Sequence, residues 1–167
     1  MIKTIKATGE QEMRIAVFSD THGYTDKMRD TVRAVNPNII IHLGDHDKDT
    51  KILKQEFPNI PVYSVCGNCD YGSQEPSEGI LTFGKVNIFA THGHLYNVRD
   101  ELDSLVYIAK RKNCQIALYG HTHIPDCQVI DGITVVNPGT AGMGWELTCA
   151  LITLLDDEAF SVDICHI

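Results

Sequence analysis

The sequence predicts an α/β fold, a four-layer αββα sandwich of two mixed β-sheets flanked by helices. Three observations predict it. Apolar runs alternate with amphipathic stretches in the first half, tight-turn dipeptides separate short strands in the second, and five of the apolar runs end in Asp, Asn or His.

Residues 1–12 show no period and read as a leader or flexible N-terminal extension, leaving 13–167 as a single domain. Ile15 to Phe18 is the first strand, followed by a helix with Met28, Val32 and Val35 at helical spacing up to Asn36-Pro37. Ile39 to Leu43 is the next strand. A short helix from about Lys48 must close before Pro58, because the residue preceding a proline is pushed out of helical geometry. Val62 to Val65 is the third strand.

Later in the chain, Ile80 to Phe83 and Val86 to Ala90 flank Gly84-Lys85, a pair suited to a hairpin turn with positive φ at its first position. Asn97 is placed to cap a helix with the apolar stripe Val98, Leu102, Leu105, Val106 and Ala109, Asp100 completing a capping box, and this helix should end near Asn113. Ile116 to Tyr119, Cys127 to Ile130, Ile133 to Val136, Leu147 to Leu155 and Phe160 to Ile164 follow as strands, with Asp131-Gly132 as a second hairpin turn. Early strands linked by helices imply parallel sheet; late strands linked by turns imply antiparallel sheet.

Bulk composition narrows the function. The 167 residues, 43% apolar and 22% charged, suffice for one buried core. Unbroken apolar runs reach only about five residues, far below the roughly 18 that cross a bilayer. No secretory pattern opens the chain, so a cytoplasmic protein is expected. A net charge of −8 repels nucleic-acid backbones, and no stable nucleic-acid binding is expected. The six cysteines read as reduced, mostly buried thiols; Cys66 and Cys69 form an isolated Cys-x-x-Cys with no second pair to complete a zinc site. By base rates a dimer is plausible.

The chemistry lies where the strands stop: Phe18-Ser19-Asp20, Leu43-Gly44-Asp45, Val65-Cys66-Gly67-Asn68, Ala90-Thr91-His92 and Tyr119-Gly120-His121. In open α/β sheets ligands gather at the carboxyl ends of strands. Asp20 and His22, like His121 and His123, are two residues apart, which in extended backbone sends both side chains to one side. Gly23, Gly44, Gly67, Gly93 and Gly120 permit sharp turns and close approach beside them. A single Asp at a strand end is more often a helix cap, and a single His more often a hydrogen-bonded bystander; five endings with both spaced pairs intact point to metal. His42 reads as a hydrogen-bonded core residue and His166 as surface. The Gly139 to Gly144 stretch with Trp145 and Glu146 reads as a connecting loop rather than a lid.

The segments Asp20-Thr21-His22-Gly23, Gly44-Asp45, Gly67-Asn68-Cys69-Asp70, Thr91-His92-Gly93-His94 and Gly120-His121-Thr122-His123 resemble the motif set of calcineurin-like metallophosphoesterases, particularly the small bacterial and archaeal phosphodiesterase branch. The likeness spans nearly the whole chain from about Met13. It implies the same four-layer sandwich and two divalent metal ions, Asp20, His22 and His123 on one, Asn68, His92 and His121 on the other, and Asp45 bridging both. Oxygen and imidazole donors suit Mn²⁺ first, with Fe, Zn²⁺ or Ni²⁺ as alternatives. The expected activity is hydrolysis of small phosphodiesters, cyclic nucleotides among the candidates, by a metal-bridged hydroxide. The alternatives are a phosphomonoesterase and a non-catalytic scaffold, since one retromer subunit resembles this fold with a degraded metal site. Many relatives carry His where this chain has Cys69, so the general acid departs from the family pattern. His94 is the candidate here, with His46 also near the motifs, and Asp70 is either a supporting acceptor or a turn residue.

Overall fold

The computed structural model describes residues 2–5, 12–155 and 159–167. Its strands are β1 (Ile2–Ile5), β2 (Met13–Phe18), β3 (Ile39–His42), β4 (Val62–Ser64), β5 (Glu78–Phe83), β6 (Val86–Thr91), β7 (Ile116–Leu118), β8 (Asp126–Ile130), β9 (Ile133–Asn137), β10 (Thr148–Leu154) and β11 (Phe160–His166). The helices are α1 (Asp26–Val35), α2 (Thr50–Glu56) and α3 (Asp103–Arg111). One sheet runs β11-β10-β2-β3-β4 and the other β1-β5-β6-β7-β9-β8. Strands β2, β3 and β4 are parallel, as are β6, β7 and β9, whereas β5–β6, β8–β9 and β10–β11 are antiparallel. Both sheets are therefore mixed; hairpins supply three antiparallel pairs, and β10 lies antiparallel to β2 across a long separation in sequence.

The two-residue period of a strand divides each sheet between two cores. Ile15, Val17, Ile39 and Ile41 face Ile88, Ile116, Leu118 and Val136 of the other sheet. Their neighbours Ala16, Phe18 and Ile40 point the opposite way, onto Met28 and Val32 of α1 and Leu53 of α2. On the far side Phe89, Ala117 and Val135 lie under Leu105, Val106 and Ala109 of α3. Fully burying each large aliphatic side chain contributes about 2 kcal/mol, so the three cores outweigh any local preference at the strand ends. The layers are helix, sheet, sheet and helix.

Local signals explain several boundaries. Helix α1 stops where Asn36 turns left-handed at φ 47° and returns its N–H to the Val32 carbonyl, immediately before Pro37. Gly84 at φ +59° and the pair Asp131 and Gly132 at 50° and +81° make the two expected hairpins. Two expectations need correction. Helix α3 begins at Asp103 rather than at Asn97, because Asn97 is itself left-handed at φ 55° and its Nδ2 donates to the Asp100 carboxylate at 2.8 Å instead of accepting a backbone N–H. Residues 2–5 also belong to an element: β1 pairs in parallel with β5, Ile2 opposite Ile80 and Ile5 opposite Phe83. Four residues are too few to show a period, so pairing to a neighbouring edge creates this strand without a sequence signal. Among the described residues no helix is long and apolar enough to cross a membrane.

Candidate metal centre

Loops after β2, β3, β4, β6 and β7 meet at one end of the sandwich, because parallel neighbours present their carboxyl ends on the same side. Asp20, His22, Asp45 and His123 each place one donor atom there, all within 4.8 Å of one another. His123 Nε2 lies 3.0 Å from Asp20 Oδ1, His22 Nε2 lies 3.4 Å from His123 Nε2, and His22 Nε2 lies 3.9 Å from Asp45 Oδ2. Beside this group, His92 Nε2 stands 3.4 Å from Asp45 Oδ1 and 3.1 Å from Asn68 Oδ1, and the His121 ring centroid is 5.1 Å from that of His92. Asp45 thus turns one oxygen toward each group. All seven expected residues are brought together.

The convergence has a different cause from the one the sequence suggested. Asp20, His22, His121 and His123 are not extended: their φ values are 56°, 48°, 68° and 61°, and Asp45 stands at 54°. The i and i+2 side chains meet through alternating left-handed turns, a conformation that costs a non-glycine residue about 1 kcal/mol or more. Close approach is also demanded of the backbone. A Cβ on Gly67 would stand 2.2 Å from Asp45 Oδ1, and one on Gly120 would stand 2.0 Å from Ser19 Oγ and 2.8 Å from Asp20 Oδ2.

A web of hydrogen bonds holds these turns. Asp70 accepts the backbone N–H groups of Asp45 (2.9 Å), His46 (2.7 Å), Asp47 (3.0 Å) and Gly67 (2.7 Å), so it ties two loops together through their backbone, within a turn closed by its own N–H on Gly67 O. His42 Nδ1 accepts the Gly44 N–H at 3.2 Å, so its Nε2 carries the proton toward Thr21 Oγ1 at 3.0 Å, and Thr21 in turn donates to Asp49 Oδ2 at 2.7 Å. Burial pushes the His42 pKa down, in keeping with that neutral tautomer. His92 Nδ1 donates to the Leu43 carbonyl at 2.8 Å, which leaves Nε2 free to face Asp45 and Asn68. Sequence reasoning missed Asp49, Asn137 and Thr140. Asn137 Nδ2 donates to Gly120 O (3.0 Å) and Thr122 Oγ1 (2.9 Å), and Thr140 Oγ1 to Asp20 O (2.9 Å). Of the three, Asn137 alone carries a sequence signal that could have found it, the turn-forming run Asn137-Pro138-Gly139.

Electrostatics suit a cation. Burial would raise the carboxyl pKa of Asp20, but His123, His92 and the Ser19 hydroxyl outweigh it and hold the group ionised. Burial likewise opposes ionisation of Asp45, and the His92 imidazole and the Cys69 N–H reverse it, holding that carboxyl well below the usual range. Asp20 Oδ2 accepts from Ser19 Oγ and from the His121 N–H at 3.1 Å, and its buried Oδ1 has only His123 Nε2 facing it, at 3.0 Å. A buried carboxylate oxygen left in this way, facing imidazole nitrogens, fits a metal ion. The Cys69 thiol is pushed up to about 11, first by burial and then by Asp45, and none of the six cysteines is in a disulfide. The His94 ring lies 5.4 Å from that of His92 and 6.2 Å from that of His121, with Nδ1 buried and unpartnered.

Fold and site together define an α/β sandwich with a carboxylate and imidazole cluster at its strand ends. The chain belongs to the calcineurin-like phosphoesterase superfamily, whose domain model matches residues 13–157. The probable metallophosphoesterase YsnB of Bacillus subtilis is 30% identical over 131 residues, 77% of this chain and 75% of that protein. A phosphodiesterase of Methanocaldococcus jannaschii is 27% identical over 163 residues, 87% of this chain and 94% of that one. Among solved structures, a predicted phosphoesterase from Streptococcus pneumoniae superposes with a TM-score of 0.77 at 26% identity, covering 95% of this chain and 91% of that one. Vacuolar protein sorting 29 from Cryptosporidium parvum superposes at 0.75, over 93% of this chain and 98% of that one, and at 19% identity shares the fold alone.

Proposed function

We infer that the chain is a metal-dependent phosphodiesterase for small phosphodiesters. The observation that carries this reading is the placement of Asp45, whose Oδ2 faces His22 and whose Oδ1 faces His92. On this reading Asp20, His22 and His123 hold one divalent ion, Asn68, His92 and His121 hold a second, and Asp45 serves both; Mn²⁺ is the first candidate. A pair of divalent ions supplies positive charge for the phosphoryl oxygens and an acidified water as nucleophile. The chain's own residues do the rest. Asp70, Asp49 and Asn137 fix the loops, the Leu43 carbonyl sets the His92 tautomer, and His94 is the side chain we assign to the leaving group, from its place against His92 and His121. The named relative from M. jannaschii supports the diester over the monoester reading.

Metal analysis of Mn²⁺-loaded protein should give two ions per chain, and bis-aryl phosphate should be hydrolysed faster than mono-aryl phosphate. Asp45→Asn should abolish turnover, by three orders of magnitude or more on the scale of lost metal catalysis. His94→Ala should slow esters with poor leaving groups more than activated aryl esters. The likeness to vacuolar protein sorting 29 favours a second reading, a protein-interaction scaffold on the same fold. Wild-type protein that binds metal and turns over no phosphoester would select it.

A further inference from the structure

Strand register places two of the chain's six cysteines face to face: Cys149 of β10 lies directly opposite Cys165 of β11. Directly opposed residues send their side chains to the same face of a sheet. Cys149 sits within the cluster of Phe18, Met28 and Val32 under α1, and Cys165 packs against that same cluster. Their thiols are in hydrogen-bond contact. The other four cysteines lie elsewhere, Cys66 and Cys69 after β4, Cys114 before β7 and Cys127 on β8.

The ladder fixes the spacing of the pair. The Ile167 N–H bonds Leu147 O at 3.0 Å, and the Leu155 N–H bonds Ala159 O at 2.8 Å. Both are an even number of residues from Cys149 and Cys165, so these two form a hydrogen-bonded pair, whose Cα atoms stand about 5.5 Å apart. A disulfide spans about 4.4 to 6.8 Å between Cα atoms, so the bridge closes with no strand displaced. Exposure divides the roles. Cys149 is only 2% exposed, and burial followed by Cys165 pushes its thiol up to about 12, which keeps it protonated and away from an oxidant. Cys165 is partly exposed, and beyond Cys149 its sulfur has a long contact of 3.9 Å to Asp163 O. Strand β11 is the edge of its sheet and pairs with β10 alone among the described strands.

We propose that Cys149 and Cys165 are a redox site, which a low-molecular-weight disulfide such as oxidised glutathione converts reversibly to a bridge fastening the edge strand β11 to β10. The Cys165 thiolate attacks one sulfur of oxidised glutathione, breaking its S–S bond and releasing one glutathione thiolate. Cys149 then loses its proton to solvent and attacks the Cys165 sulfur, expelling the second glutathione thiolate. Two protein thiols give up two electrons, and one glutathione disulfide becomes two thiols that take up the two protons. None of this depends on the chemistry of the candidate centre.

The test follows the bridge directly. The native full chain is incubated with oxidised glutathione, its remaining thiols are alkylated, and it is digested without reduction for mass spectrometry. A peptide pair joined through Cys149 and Cys165 should appear, and dithiothreitol should return both thiols. Bridged protein should melt about 5 °C higher, the effect of closing a loop of this length in a chain of this size. Cys149→Ala should retain glutathione on Cys165, because no second thiol is there to expel it, and Cys165→Ser should show neither the bridge nor an adduct on Cys149. A wild-type chain that keeps glutathione on Cys165 without closing, or that closes only in urea, would overturn the site. A bridge that leaves the melting temperature unchanged would overturn the fastening of β11.

Discussion

The hairpin turns at one end of the strands and the loops of the candidate centre at the other both need left-handed backbone, and they meet the need with different mixtures of residues. In the hairpins it falls on Gly84, Asp131 and Gly132, and a Cβ on either glycine would meet nothing within 4 Å. Around the centre it falls on Gly23, Gly44 and Gly93 but also on Asp20, His22, Asp45, His46, His121 and His123, while Gly67 and Gly120 serve close packing. In the hairpins the backbone selects the residue. At the centre the side chains are kept at the expense of the backbone, which marks strain held for a purpose other than stability.

The sharpest way to break this comparison is to add the same methyl group on each side of it. Gly67→Ala would drive Cβ into the Asp45 carboxylate and backbone, and should lower metal-dependent turnover by two orders of magnitude or more while costing about 2 kcal/mol of stability, as overpacked sites do. Gly84→Ala carries only the left-handed penalty of about 1 kcal/mol and should leave turnover unchanged. Equal turnover in the two variants, measured beside denaturant unfolding, would mean that the crowding at Asp45 has no catalytic consequence.

A smaller effect is expected at Asp70. Asp70→Asn keeps the size of the side chain but leaves one accepting oxygen where two served four N–H groups. The variant should lose about 2 kcal/mol, the cost of buried donors left unmet, and bind metal about tenfold more weakly, as expected when an outer support is removed. Calorimetric titration with Mn²⁺ alongside urea unfolding tests both; metal affinity equal to that of wild type would confine Asp70 to fold stability.

The smallest effect concerns pH. Burial lowers the His42 pKa from 6.5, so below that value the unfolded chain takes up a proton that the folded chain resists. The stability linked to His42 is complete above about pH 6.5 and declines as the pH falls toward the folded value. Metal-free wild type should therefore lose thermal stability on acidification from about pH 7.5 to 5.5 more steeply than His42→Asn. Parallel melting curves for the two proteins would remove His42 as a source of acid sensitivity.

Much of this was legible in the sequence, because strand cores are set by local apolar period and the ligand types stand where those runs stop. The start of α3 was not, since Asn97 and Asp100 satisfy the same pattern whether the asparagine accepts a backbone N–H or, as here, donates to the aspartate from a left-handed turn. Strand β1 depends on pairing with β5, a contact between distant segments that no local pattern encodes. At the candidate centre the clustered residues could be read by type, but the turns beneath them could not. Positive φ is uncommon for any single non-glycine residue, although aspartate and histidine tolerate it better than most; here the loops are held by Asp70, Asp49, Asn137 and Thr140, which come from other loops.

On the metal-dependent reading proposed above, that framework has a consequence for how ions would be handled. Four amide protons converge on Asp70 and a relay runs from Gly44 through His42 and Thr21 to Asp49, so the loops that carry the candidate donors are braced by the chain's own hydrogen bonds. Loading then requires little rearrangement of the chain, and a chelator should strip the ions from a receptacle that keeps its shape and refills reversibly. Ion supply can in this way act as a throttle on activity without committing the polypeptide to unfold.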